Sequence, residues 1–134
     1  MLNNINTKEL IKRKKTLKKK YKICKLYIKK TINNTFVTLT NIKGDTITYY
    51  STGKVGFKGG KKTGRIAEEA IMNEIINSCI SIKVKYLFIY YSGTYFNMNL
   101  YKKILKKNRI RILMLINNTP INYNGCRKPK PRRL

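Results

Sequence analysis

Two stretches of this chain collect side chains able to hold phosphate. In GKVGFKGGKKTG (53–64) five glycines and the four lysines Lys54, Lys58, Lys61 and Lys62 surround one aromatic, Phe57, directly ahead of Arg65 and a helical pattern. Glycine lets backbone N–H groups come close to an anion, and the start of a helix adds partial positive charge. The order G-x-x-x-x-G-K-[ST] of a nucleotide-binding loop is absent, and lysines spread along the run suit an extended phosphate backbone better than one triphosphate. Phe57 has the chemistry to stack on a base or to pin the loop onto a sheet, and packing is the role we expect of it.

The second stretch, NGCRKPKPRRL (124–134), threads prolines between Arg127, Lys128, Lys130, Arg132 and Arg133 with no acid to balance them. Proline fixes φ and lacks an N–H, so the segment can neither continue a helix nor join a central strand. Asn124-Gly125 is turn chemistry, and the guanidinium groups offer forked donors to phosphate.

Other chemistry lacks its residues. The acids are Glu9, Asp45, Glu68, Glu69 and Glu74, and three of them share one helical segment, so no carboxylate constellation for two-metal hydrolysis can be assembled from separate elements. There is no histidine and no G-x-S-x-G elbow to support a nucleophile. Cys24, Cys79 and Cys126 are widely spaced without a CxxC pair, which reads as free thiols in a reducing compartment rather than a metal site. We therefore expect no enzyme, no metal and no cofactor.

The elements that must position the phosphate-binding stretches can be read from periodicity. Cys24, Leu26 and Ile28 alternate with Lys25, Tyr27 and Lys29, and TFVTLT (35–40) and TITYY (46–50) follow across NN and NIKGD turns. This predicts an antiparallel three-stranded meander. Ile71, Met72, Ile75, Ile76 and Cys79 form one stripe of a helix over 65–80, with Glu68 and Glu69 in its first turns. YLFIYY (86–91) reads as a strand buried on both faces, Leu100, Tyr101, Ile104 and Leu105 as a helical stripe, and IRILMLI (110–116) as a second strand parallel to the first. The expected class is α/β: a single domain with a mixed β-sheet, β-β-β-α-β-α-β, flanked by helices.

Around that body the chain divides into a basic arm over 1–21, a domain over 22–118 and the basic tail over 119–134. The arm contains KELIKRKKTLKKKYK, too cationic for a sustained apolar stripe, and rich in Lys rather than in the Arg and Ser of a transit peptide. It reads first as a basic arm, disordered or ordered on binding, with a targeting segment and a solvated tail as the alternatives. The whole chain carries 31 Lys and Arg against five acids, a formal charge of +26 on 134 residues. Such an excess argues for a polyanionic partner, nucleic acid before membrane, and the longest apolar runs fall well short of the ~20 residues of a spanning helix.

INNTFVTLT (32–40), GFKGGKK (56–62) and TPINYNGCRKPKPRRL (119–134) resemble, in order and spacing, the universal small-subunit ribosomal protein eleven family. The family's last segment usually reads T-P-x-P-H-N-G-C-R-P-P-K-K-R-R; here Thr119, Pro120, Asn124, Gly125, Cys126, Arg127, Pro129, Lys130, Arg132 and Arg133 fall on it, while Asn122-Tyr123 replaces Pro-His. A glycine-rich loop that the family carries after its fourth strand is here YSGTYFN, with Gly93 its one glycine. The resemblance implies a ribonuclease H-like topology and a non-catalytic protein binding small-subunit rRNA in the platform, beside other platform proteins and near the mRNA exit path. It further implies that Phe57, Lys58, Gly59, Gly60, Lys61, Lys62 and the matched tail residues face RNA.

The abundance of Lys, Ile, Asn and Tyr suits an AT-rich genome, and the expected home is a mitochondrial matrix ribosome supplied by an organelle gene, with a plastid as the alternative. A free-standing basic nucleic-acid-binding protein is the rival function.

Overall fold

The computed structural model describes residues 23–93, 97–127 and 129–130. The basic arm, Lys128, Arg132 and Arg133 lie outside the described residues.

Three strands open the fold: β1 (Ile23–Lys30), β2 (Thr35–Thr40) and β3 (Thr46–Ser51). They pair antiparallel in succession, and Thr31 to Asn34 turn tightly enough for the Thr31 hydroxyl to donate to the Asn34 carbonyl at 2.8 Å. Helix α1 (Arg65–Ile82), β4 (Tyr86–Gly93), α2 (Met98–Lys107) and β5 (Arg111–Asn117) complete the expected order. Helix α1 runs two residues past the predicted end because Lys83, at φ 62°, caps it in the left-handed conformation, its N–H donating to Cys79 and Ile80 carbonyls.

The sheet order is β3-β2-β1-β4-β5, with β4 parallel to both β1 and β5. Both helical crossovers therefore move in the same direction across the sheet. Crossovers of one hand moving in one direction place their helices on one face. The core confirms it: Cys24, Leu26, Ile28, Val37, Leu39, Leu87 and Ile89 from the sheet join Ile71, Met72, Ile75, Cys79 and Ile82 from α1 and Tyr101 and Leu105 from α2 in a single cluster. Each fully buried aliphatic side chain there contributes roughly 1.5–3 kcal/mol of transfer free energy.

One consequence departs from the sequence reading of β4. Leu87 and Ile89 are buried under the helices, but Tyr86, Phe88 and Tyr90 point to the other face and are only half-buried. The apolar run is continuous because tyrosines and Phe88 pack beside one another on an open face, not because a second layer covers them.

Candidate nucleic-acid interface

Strand direction decides where the two basic stretches go. Since β3 runs antiparallel to β2, and β2 to β1, strands β1, β3, β4 and β5 all point the same way. Their registers align the ends: Lys30 sits opposite Gly93 and Thr35, Phe36 opposite Ser51, and Tyr91 opposite Asn117. The turn after β1, the glycine-lysine loop after β3 and the tail after β5 thus leave from one end of the sheet. Loop and tail depart from opposite edges, about 19 Å apart at ~4.8 Å per strand spacing.

The loop is built on a buried threonine. The Thr52 hydroxyl donates to Asn34 Oδ1, its N–H donates to the Thr35 carbonyl at 3.2 Å, and its carbonyl accepts from Phe57 N at 3.1 Å. Val55 packs against the core, whereas Phe57 is half-buried and outside that cluster. The pinning role expected of Phe57 belongs to Val55. Gly56 at φ +104° and Gly59 at φ +55° make the two bends that return the chain to the helix.

The four lysines divide into two kinds. Lys54 folds back, its Nζ donating to the Tyr49 carbonyl at 3.0 Å and lying 4.1 Å from the centre of that ring. Lys62 also folds inward, its Cε and Nζ within 4 Å of where a side chain on Gly53 would begin. Lys58 is exposed just ahead of a short 3-10 helix over Gly59–Thr63, in which Gly59, Gly60 and Lys61 are exposed as well. Gly64 then opens α1 with no side-chain cap, so the first N–H groups of the helix face the same end as the loop. Arg65 pairs with Glu69 at 3.2 Å on an exposed surface, a contact worth at most ~1 kcal/mol and easily exchanged for a phosphate.

At the β5 edge Asn118 N donates to the Tyr91 carbonyl at 2.7 Å and Gly93 N to the Thr119 hydroxyl at 3.2 Å. These bonds root the tail beside β4. Beyond Pro120 the described residues are exposed, including Asn124, Gly125, Arg127 and Lys130. Asn124 takes φ +52°, the turn expected of Asn-Gly. Between the two edges lies a cleft of about 450 Å³, bounded by Lys29, Lys30, Asn33, Ser92, Gly93 and Thr119.

Gly93 has a role invisible in the sequence. At φ +115° any Cβ would run into the Lys30 carbonyl, so glycine here lets β4 close against the end of β1.

The carboxylates complete the electrostatics. Buried Glu68, in the first turn of α1, forms an ion pair with Lys30 and accepts from the Tyr101 hydroxyl at 3.4 Å. Burial first, and the nearby Glu68 carboxylate second, push the Tyr101 phenol above its usual range. Asp45, bonded by Asn41 Nδ2 at 2.8 Å, lies in the turn between β2 and β3 at the opposite end of the sheet. The end that carries loop and tail therefore presents mainly cations and backbone N–H groups, with Glu68 turned into the core and the half-exposed Glu69 paired with Arg65. Sequence reading singled out none of Thr52, Val55 and Lys30, and noted Gly93 only as the one glycine of its loop; their hydrogen bonds and contacts span strands and leave no local pattern.

The sequence model of the family described as Ribosomal protein S11 matches residues 24–133. The chain belongs to the S11 family. It is 38% identical over 109 residues to the small ribosomal subunit protein uS11 of Carsonella ruddii, covering 81% of this chain and 92% of that one. It is 36% identical over 126 residues to uS11c of Psilotum nudum, covering 92% and 97%, and 31% identical over 121 residues to uS11 of Borreliella burgdorferi, covering 90% and 93%.

The S11 match spans both the loop and the tail, and the observed sheet agrees with the fold that the resemblance implied. S11 is a family of ribosomal structural proteins, so the chain is not an enzyme. Among the described residues no three His, Cys, Asp or Glu side chains gather as metal ligands, and no helix is long and apolar enough to cross a membrane. Burial pushes the Cys24 thiol up to about 11 and the Cys79 thiol, beside it, up to about 12, which keeps both protonated as core packing; Cys126 is exposed.

Proposed function

We propose that this S11-family chain is a structural constituent of the small ribosomal subunit that grips rRNA with the carboxyl end of its sheet. The observation that carries the reading is that the loop, the start of α1 and the tail all leave the carboxyl end of the sheet, where Glu68 is buried and Glu69 is paired with Arg65. Lys58, Gly59, Gly60, Lys61 and the first N–H groups of α1 take phosphates at one edge, with Lys54, Lys62 and Arg65 behind them. Asn124, Gly125, Arg127, Lys128, Lys130, Arg132 and Arg133 follow a second run of backbone at the other. Phe57 closes the loop against the RNA.

The domain over 22–118 is the rigid part of this reading, and the arm over 1–21 adds sequence-independent charge. The position is the platform near the mRNA exit path, beside other platform proteins, as the family resemblance implies. The relatives support an organelle ribosome, and the AT-biased composition favours the mitochondrion over the plastid.

Binding driven by phosphate neutralisation loses roughly 10³- to 10⁵-fold in affinity between low and moderate salt when six to ten contacts form. A tagged copy should nevertheless stay with small subunits at one copy each through a high-salt wash, because assembly locks the loop and tail into folded RNA. A copy that washes off completely would favour the free-standing nucleic-acid-binding protein instead.

A further inference from the structure

The sheet face turned away from the helices carries several aromatic rings, some of them open to solvent. Tyr27 on β1 and Tyr90 on β4 are register partners, and their rings stack with centroids 4.9 Å apart and planes 15° apart. Beside them on β2 and β3, Phe36 is 43% exposed and Tyr49 60%, while Tyr27 itself is 37% exposed. A hollow of about 290 Å³ lies among Tyr27, Lys29, Phe36, Thr38, Tyr90 and Ser92. It adjoins the cleft at the carboxyl end of the strands through their shared residues Lys29 and Ser92.

The charges on this face all have one sign. Lys25 and Lys29 alternate with Tyr27 along β1, and Lys54 sits over the Tyr49 ring at the β3 edge. The carboxylates among the described residues are elsewhere: Asp45 in the β2–β3 turn, and Glu68, Glu69 and Glu74 on α1. Phosphate binding alone gives no reason to expose three rings to water, and an exposed apolar patch marks a surface that is covered in the working state. Rings flanked by cations match a nucleic-acid strand whose bases are unpaired, since every base has a π-face to lay on an aromatic and its phosphates need the lysines.

We propose that this face is a stacking platform for single-stranded RNA, with unpaired bases on Tyr27, Phe36 and Tyr90 and the backbone passing along Lys25 and Lys29 toward the cleft. The platform rests on the RNA-binding reading above and adds to it a second surface and a second form of RNA. The loop and tail grip phosphates whatever the pairing state. The sheet face selects strands with bases available to stack.

The test uses the full chain with a short single-stranded oligoadenylate and a duplex RNA of equal length, read by anisotropy and by intrinsic fluorescence, which here comes from 10 tyrosines and no tryptophan. Tyr27→Val and Phe36→Val keep strand propensity while removing a ring. Each should weaken single-strand binding roughly 5- to 150-fold and leave duplex binding nearly unchanged. Tyr27→Phe should restore it, and Lys29→Gln should lower the slope of log affinity against log salt by about one.

If Lys58→Ala and Arg127→Ala weaken binding of both RNAs while the ring variants weaken neither, the platform is wrong and the proposed function stands. If none of these variants changes RNA binding, both readings fall. Ring variants that bind RNA like the parent but fail to enter small subunits would mean that a protein neighbour covers the face, which also overturns the platform. Should Tyr27→Val not fold, tyrosine quenching in the unaltered chain decides, because equal quenching by single strand and duplex sinks the proposal.

Discussion

The loop over 52–64 and the tail after Asn117 are both basic, both bend at glycine or asparagine and both leave the same end of the sheet, yet they are held differently. The loop is tied along its length by Thr52 to the turn after β1, by the Val55 and Gly56 N–H groups to Ser51 and Gly53, and by Val55 to the core. Among the described residues the tail is rooted at Asn118 and Thr119, and past Pro120 the Asn124 turn gives it shape. Ordering a residue costs roughly 1–2 kcal/mol in backbone entropy, so the loop has met that cost on folding, whereas much of the tail meets it on binding. A prearranged loop suits first recognition of phosphates, and an extended tail suits a path that exists only once the RNA has folded around it.

The largest perturbation should remove the support common to both regions. Glu68→Ala removes the buried carboxylate that pairs with Lys30 and accepts from Tyr101 at the end of β1, between loop and tail, and should destabilise the domain by about 3–5 kcal/mol in chemical denaturation. A loss below ~1 kcal/mol would mean that the pair does not hold that end together.

Gly93→Ala acts at the tail root. The new methyl collides with the Lys30 carbonyl, and a loss of about 3 kcal/mol is expected, with faster hydrogen exchange at Asn118 before the loop amides respond. Exchange rising equally in loop and tail would show that the two edges are one cooperative unit.

Thr52→Val tests the loop alone. It keeps the volume but deletes the hydroxyl bonded to Asn34, which should cost about 1 kcal/mol and raise hydrogen exchange at the Phe57 amide while leaving the tail unchanged.

Arg127→Ala should have the smallest effect on stability, within ~0.5 kcal/mol, because the residue is exposed and outside the core. Its effect belongs to RNA affinity, with a salt slope lower by about one. A measurable drop in thermal stability would mean that the tail folds against the body, erasing the distinction between the two regions.

Much of the architecture was legible because burial imposes period. Cys24, Leu26 and Ile28 alternate as a strand with one buried face must, and Ile71, Met72, Ile75, Ile76 and Cys79 recur as a helix on a sheet must. β4 misled because its run of aromatics looks the same whether a second layer covers it or not. The loop and tail were visible as local composition, yet the folding back of Lys54 and Lys62, the anchoring by Val55 in place of Phe57 and the pairing of Lys30 with Glu68 were not. Those depend on neighbours brought from other strands.

The sequence alone determined the sign and size of the charge, the identity of the elements and the two segments whose chemistry suits phosphate, because each is a local property of consecutive residues. Only the tertiary structure decided that loop, helix start and tail share one end of the sheet, that both helices cover a single face, and that the rings of Tyr27, Phe36 and Tyr90 remain outside. The reason is topological. Strand order and direction are set by which long-range pairings bury the most apolar surface together, and side chains that share an end or a face of the sheet carry no trace of that in their spacing along the chain.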